Sequence, residues 1–312
     1  MTLSTLPVLS LTDDPATLAH QLGESFRTFG FALVRDHGID PALVDRAWRL
    51  TAEFFALPED EKRRYALSGL SGARGYTPFG TEIAKGAKLH DLKEFWHVGR
   101  DLPDDHPLRG SMPPNVWPDR PEHFRETFEA LYAALDHAGA RILSRIAVAL
   151  GLQAQWFDPA IADGNSVLRL LHYPPVPNAE SGAIRAGAHE DINLITLLLG
   201  AEEAGLELLA KDGTWIGVNP PAGALVVNIG DMLQRVTNHV LPSTTHRVRN
   251  PAGARAAHSR YSMPFFLHLR SDFPFHTLLQ CVTPENPDRY PDSVTADDYL
   301  QERLREIGLK KG

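Results

Sequence analysis

The stretch Gly187-Ala-His189-Glu-Asp191-Ile-Asn-Leu-Ile-Thr196, followed at a distance by Thr245-His246-Arg-Val248, decides how the chain is read. His189 and Asp191 stand two apart. In an extended strand alternate side chains share a face, so this spacing brings an imidazole and a carboxylate together off one strand end. One more ligand completes a three-point site for a divalent transition metal, and His246, in a segment that reads as a strand, is the best candidate. His239, in Asn238-His239-Val, competes with it, but its neighbours Thr237, Leu241 and Pro242 read as a loop. Asp231 is a second carboxylate of interest, and after Gly230 it reads more naturally as the cap of a turn. An isolated H-x-D is weak evidence, so the rest of the chain must carry the reading.

Composition narrows the classes. The 312 residues are 43% hydrophobic and 22% charged, ordinary for a folded protein of one elaborated domain or two fused lobes. A net charge of −8 gives no electrostatic footprint for nucleic acid or an anionic membrane. The one cysteine, Cys281, excludes a disulfide framework or a cysteine-rich metal site. The opening Met1-Thr-Leu-Ser-Thr-Leu-Pro7 has no basic segment followed by an apolar one, and no apolar run approaches bilayer length. The expectation is a cytoplasmic protein with a small-molecule partner. Oligomeric state is not legible.

Working outward from the opening stretch, residues 166–173, 193–199, 206–209, 213–218, 224–229, 244–248 and 259–267 read as short strands separated by turns. That texture predicts an antiparallel sandwich or jelly roll whose mouth can hold a ligand. Before it come a strand at 6–11, a helix over 16–28, a strand at 30–34 and a helix opened by Pro41. Glu59-Asp60-Glu61-Lys62 reads as a solvated charged face, and Asp91–Val98 as a strand. Residues 69–80, with four glycines, lack the Gly-Lys-Ser/Thr ending of a phosphate-binding loop. Phe124, Phe128, Leu131, Leu135, Ile142 and Ile146 mark a long bracing helix. The expected divisions are 1–120 (N-terminal region), 121–164 (brace and connector), 165–270 (jelly-roll core) and 271–312 (tail).

Arg260 and Ser262 share one strand face, and together they can bind a carboxylate by a guanidinium fork and a hydroxyl. The strand runs on into Pro264-Phe265-Phe266, so the arginine points inward and requires an anion. Tyr173 either donates to the same carboxylate or is a core tyrosine. His172 faces the other way. Phe266 and residues near Trp96 are expected to line a substrate pocket, with ordinary core packing the competing reading. Loops such as 69–88 and the C-terminal tail are expected to choose the substrate.

Two histidines and a carboxylate with open positions suit non-haem Fe(II) oxygenases. The whole sequence resembles the isopenicillin N synthase-like family of Fe(II)/2-oxoglutarate-dependent dioxygenases. The resemblance is carried in order by Leu6–Leu11, Gly30–Ile39, Phe55–Lys62, Arg74–Pro78, Asp91–Glu94, His189-x-Asp191, Asn228–Asp231, His246–Val248 and Arg260-x-Ser262. It implies a mainly β fold, a double-stranded β-helix with N-terminal α/β elements. It also implies Fe(II) held by His189, Asp191 and His246, and 2-oxoglutarate bound by Arg260 and Ser262 near Tyr173. Dioxygen would be the oxidant, a small molecule would be hydroxylated or desaturated, and succinate and CO2 released. Plant-type members often carry asparagine where this chain has Leu171, so Arg169 is a candidate to replace its contact. Two alternatives stand: an Fe(II) oxidase of the isopenicillin N synthase type needing no 2-oxoglutarate, and a non-catalytic jelly roll binding a metal or small acid.

Overall fold

The computed structural model describes residues 5–67, 72–81, 91–175, 185–199, 205–250 and 257–306. Of the loops expected to choose substrate, residues 69–71 and 82–88 lie outside the described residues, as does the tail beyond 306. The N-terminal elements are β1 (Val8–Ser10), α1 (Pro15–Phe29), β2 (Phe31–Arg35), α2 (Pro41–Phe55), α3 (Glu59–Arg63), β3 (Gly75–Thr77) and β4 (Glu94–Gly99). There follow α4 (Phe124–Ala149), α5 (Asp158–Ile161), β5 (Val167–Tyr173), β6 (Ala186–His189), β7 (Ile195–Leu199), β8 (Leu206–Leu209), β9 (Trp215–Gly217) and β10 (Leu225–Ile229). Last come α6 (Asp231–Val236), β11 (His246–Val248), β12 (Arg260–Leu267), β13 (Pro274–Phe275), β14 (Val294–Thr295) and α7 (Ala296–Glu306).

Two sheets face each other as a jelly roll. The larger runs β1-β2-β10-β7-β12-β5-β4-β3, and the smaller β6-β11-β8-β9. All pairs within them are antiparallel except β1 with β2. Strand alternation divides the large sheet cleanly. Leu168, Leu170, Met263, Phe265, Leu197 and Val227 point to the helices and build the main core. Leu171, Tyr173, Phe95, Val226 and Leu33 point to the small sheet and meet Leu206, Leu208 and Val248 there.

The helices form where the sequence caps them. Asp14 accepts a hydrogen bond from the Thr17 amide at 2.9 Å and Asp40 from that of Ala42 at 2.9 Å, each followed by proline in the first turn. α1 stops at Gly30, whose φ of 68° is left-handed and whose absent Cβ would lie 2.7 Å from the Pro242 carbonyl. α4 lies across α1, α2 and the large sheet as the expected brace.

The reading of residues 59–62 as a solvated charged face is overturned at its last position. Lys62 is not part of a solvated face, because α3 turns it inward, leaving it 5% exposed, to meet Glu94 of β4 at 2.7 Å. The other oxygen of Glu94 bonds the His172 Nδ1 at 2.7 Å, and Tyr76 donates to the oxygen shared with Lys62. His172 is stacked between Phe55 and Tyr261. Burial pushes the Glu94 carboxyl up, but hydrogen bonds from His172, Lys62 and Tyr76 outweigh it and hold it below the usual carboxylate range. The cluster pins β4 to β5 on the helix side.

Breaking such a pair from one side costs more than removing it whole. We expect Glu94→Ala, which leaves Lys62 with the half-exposed Glu59 at 3.3 Å as its one carboxylate partner among the described residues, to lower stability by about 3 kcal/mol in urea unfolding. Glu94→Leu combined with Lys62→Met should cost less than Glu94→Ala alone. A Glu94→Ala midpoint equal to the parent's would contradict this.

Candidate metal and anion site

β6 and β11 pair so that His246 lies directly across from His189. Their ring centroids are 4.4 Å apart. His189 Nδ1 is bonded to the Gly187 carbonyl at 2.7 Å and His246 Nδ1 to that of Thr244 at 3.1 Å, which leaves both Nε2 atoms pointing the same way. β6 ends at His189, so Asp191 is not the strand residue its spacing suggested. It sits in the turn before β7, and the turn swings its carboxylate back between the rings. Asp191 Oδ1 is 3.8 Å from each Nε2.

The turn is held from α6. The Asp231 amide donates to the Asp191 carbonyl at 2.7 Å, Gly230 to Leu194 at 2.9 Å and Met232 to Asn193 at 3.1 Å. Gly230 is needed for this approach, since a Cβ there would lie 2.2 Å from the Asn193 carbonyl oxygen. The carboxylate is held from the large sheet. Thr196 of β7 and Asn228 of β10, themselves cross-strand partners, donate to Asp191 Oδ2 at 2.6 and 2.8 Å. Asn193 in turn donates to the Thr196 hydroxyl at 3.0 Å. Phe31, across from Asn228, sets its ring edge-on to His246.

Electrostatics keep Asp191 and His189 in the protonation state a metal needs. Burial pushes Asp191 up, but His246, His189 and the two donors outweigh it and keep it ionised. Burial and then the neighbouring His246 push His189 down to about 4, against the pull of Asp191, so it is neutral at pH 7. Divalent transition metals sit about 2.0–2.2 Å from nitrogen and oxygen ligands. One ion can therefore bridge donors 3.8 Å apart. The donor set of two imidazoles and one carboxylate fits Fe(II).

Across the cleft, Arg260 and Ser262 of β12 are each 3% exposed, and Arg260 pairs with Tyr173 of β5. Strand alternation places all three on the inner face, as expected for Arg260 and Ser262, and Tyr173, left open by the sequence, joins them with the Arg260 guanidinium over its ring at 5.1 Å. Phe266 is also on the inner face, across from Thr196 and partly exposed. Trp96 is not. It is fully buried on the helix side against Phe54, Tyr65 and Phe124, because its place in β4 has the parity of Glu94. Its neighbours Phe95 and His97 face the cleft. Arg169 does too, its guanidinium 4.2 Å from the Phe95 centroid and 5.4 Å from that of Phe266, its Nε donating to His97 at 2.6 Å.

The competing ligands are placed elsewhere. His239 bonds the Tyr290 hydroxyl at 2.6 Å, and Asp231 opens α6 and pairs with Arg303 at 2.8 Å. Thr196 and Asn228 are the residues that sequence reasoning left without a role. Only the β7–β10 register makes them neighbours of Asp191.

Comparison with known proteins agrees with this geometry. Residues 4–120 match the family model of the N-terminal region of non-haem dioxygenases in morphine synthesis, and residues 164–269 that of the 2OG-Fe(II) oxygenase superfamily. The 2-oxoglutarate-Fe(II) type oxidoreductase hxnY of Emericella nidulans is 34% identical over 296 residues, covering 92% of this chain and 83% of that protein. A crystal structure of a 2OG-Fe(II) oxygenase family protein from Caulobacter crescentus superposes with a TM-score of 0.91 at 54% identity, covering 98% of this chain and 100% of that one. A Neurospora crassa protein crystallised in complex with alpha-KG and thymine superposes at 0.85 with 27% identity, covering 96% of each chain. With the paired histidines, the intervening carboxylate and the matched length all in agreement, this chain belongs to the 2OG-Fe(II) oxygenase superfamily.

Proposed function

We propose that this 2-oxoglutarate-dependent non-haem Fe(II) dioxygenase holds its iron through His189 Nε2, Asp191 Oδ1 and His246 Nε2, and the distal carboxylate of 2-oxoglutarate between Arg260 and Ser262. The observation that carries this reading is the facing arrangement. Three metal donors converge at the end of the small sheet, and a buried guanidinium and hydroxyl lie on the inner face of the large one. Bound there, Fe(II) with 2-oxoglutarate supplies activated dioxygen for oxidising a C–H bond of a small molecule, with succinate and CO2 as the other products.

The chain's own residues bind, orient and exclude water. Thr196 and Asn228 occupy one carboxylate oxygen of Asp191, which leaves the other for the ion. Tyr173 supports the Arg260 guanidinium from beneath, and the small-sheet residues Leu206, Leu208 and Val248 keep that end of the cleft dry. Phe266, across from Thr196 and with Arg169 between it and Phe95, lines the wall and receives the substrate. The oxidase alternative asks Arg260 and Ser262 to bind the substrate's own carboxylate. The Neurospora crassa complex with alpha-KG, from a relative of matching length, favours the 2-oxoglutarate reading.

The deciding experiment follows oxygen uptake and succinate release together, with small acids, amino acids and natural-product scaffolds as substrates. Turnover that needs both Fe(II) and 2-oxoglutarate supports the proposal. Turnover without 2-oxoglutarate, and no succinate when it is added, would establish the oxidase. His189→Ala and Asp191→Ala should abolish metal binding and activity while leaving the circular-dichroism spectrum unchanged, and parental turnover by either would refute the ligand assignment. Thr196→Val should weaken metal binding about tenfold, since it frees the carboxylate to rotate. Arg260→Ala should raise the 2-oxoglutarate requirement by about 2–5 kcal/mol, and an unchanged requirement would contradict the anchor.

A further inference from the structure

The last described helix, α7, is far from the metal donors in sequence but is joined to them by a short chain of contacts. It opens with Thr295 as cap, whose hydroxyl accepts from the Asp298 amide at 3.1 Å and donates to the Asp298 carboxylate at 2.6 Å. Tyr299 and Arg303 are four apart and so share one helix face. On α6, Asp231 and Arg235 are also four apart. The two faces meet: Arg303 pairs with Asp231 at 2.8 Å, and the Arg235 guanidinium lies 5.6 Å from the Tyr299 ring. Phe275 packs edge-on against Tyr299 on the same side.

Asp231 is 3% exposed, so its side chain is fixed by the pair with Arg303 rather than by water. Its own amide donates to the carbonyl of Asp191 at 2.7 Å, and the next amide, of Met232, to those of Ile192 and Asn193. One residue thus holds α7 with its side chain and the turn carrying the metal carboxylate with its backbone. We infer that α7 is a clamp on the metal site and that Arg303 is a positioning residue, which sets the Asp191 turn through Asp231 and so governs how tightly the ion is held. This inference rests on the metal assignment above and goes beyond it, since neither Arg303 nor α7 is a ligand. Undocking of α7 would loosen the first turn of α6 and free Asp191 to move away from the imidazoles.

The test uses Co(II) titrated into the full-length metal-free protein and read by visible absorption. Arg303→Met keeps the aliphatic stem and removes the charge. It should raise the Co(II) dissociation constant about tenfold, the size of effect expected when a ligand's supporting contacts are lost. The same substitution in an Asp231→Asn background should change it by no more than about twofold, because the pair is already broken. Arg125→Met, which removes an α4 surface pair with Glu129, serves as control and should bind like the parent. Parental affinity in Arg303→Met, or an equal loss in both backgrounds, would overturn the clamp. A parent that takes up no Co(II) would overturn the metal assignment, and the clamp with it.

Should Asp231→Asn fail to fold, amide hydrogen exchange of the metal-free Arg303→Met protein decides instead. Faster exchange at residues 231–233 is expected, and unchanged protection would overturn the inference.

Discussion

A carboxylate buried between two imidazoles has to be kept ionised, aimed and still, and much of the interior serves that constraint. Asp191 sits in a turn, where backbone alone gives little rigidity. Hydrogen bonds from three directions supply it: α6 amides to the turn's carbonyls, and Thr196 and Asn228 to Oδ2. The β6–β11 register then sets the two imidazoles opposite each other. Since each Nδ1 is tied to a backbone carbonyl, the tautomer that exposes Nε2 follows from the strand ends themselves.

The large sheet separates stability from chemistry by the period of two. Along β5, Leu168, Leu170 and His172 serve the helix side, while Arg169, Leu171 and Tyr173 serve the cleft. Adjacent residues therefore belong to different tasks. His172 is tied to the buried Glu94–Lys62 cluster, and Tyr173 supports Arg260. A cluster that pins β4 to β5 from behind also fixes the strand that presents Arg169 and Tyr173 to the cleft. The polar groups of the helix side are thereby part of what keeps the cleft in shape.

Much of this was legible in the sequence where a residue type and a period sufficed. The 193–199, 206–209 and 259–267 strands, the Pro41 helix and the long brace lie within a few residues of where periodicity puts them. Arg260 and Ser262 share the inner face because they stand two apart on one strand. Legibility failed where tertiary context decides. Trp96 and Phe95 are both aromatic, and only the partner strand tells which faces the helices. Lys62 looks like any surface lysine until Glu94 is placed beside it. The spacing of Asp191 from His189 suggests a shared strand face, but their convergence comes from a turn instead. Thr196 and Asn228 gave no local signal, as their role arises from a pairing between strands distant in the chain. α6 is too short for periodicity to reveal, yet its amides hold the Asp191 turn and its Asp231 pairs with Arg303 of α7.

A single ion held at three named atoms between the sheet ends is what gives the cleft its chemistry. An anomalous difference map at the iron edge, from crystals grown anaerobically with Fe(II) and 2-oxoglutarate, tests it most directly. One strong peak is expected within bonding distance of His189 Nε2, His246 Nε2 and Asp191 Oδ1, with the cosubstrate's far carboxylate on Arg260. A peak bound to other residues, or well-ordered imidazoles pointing apart with no peak between them, would contradict it.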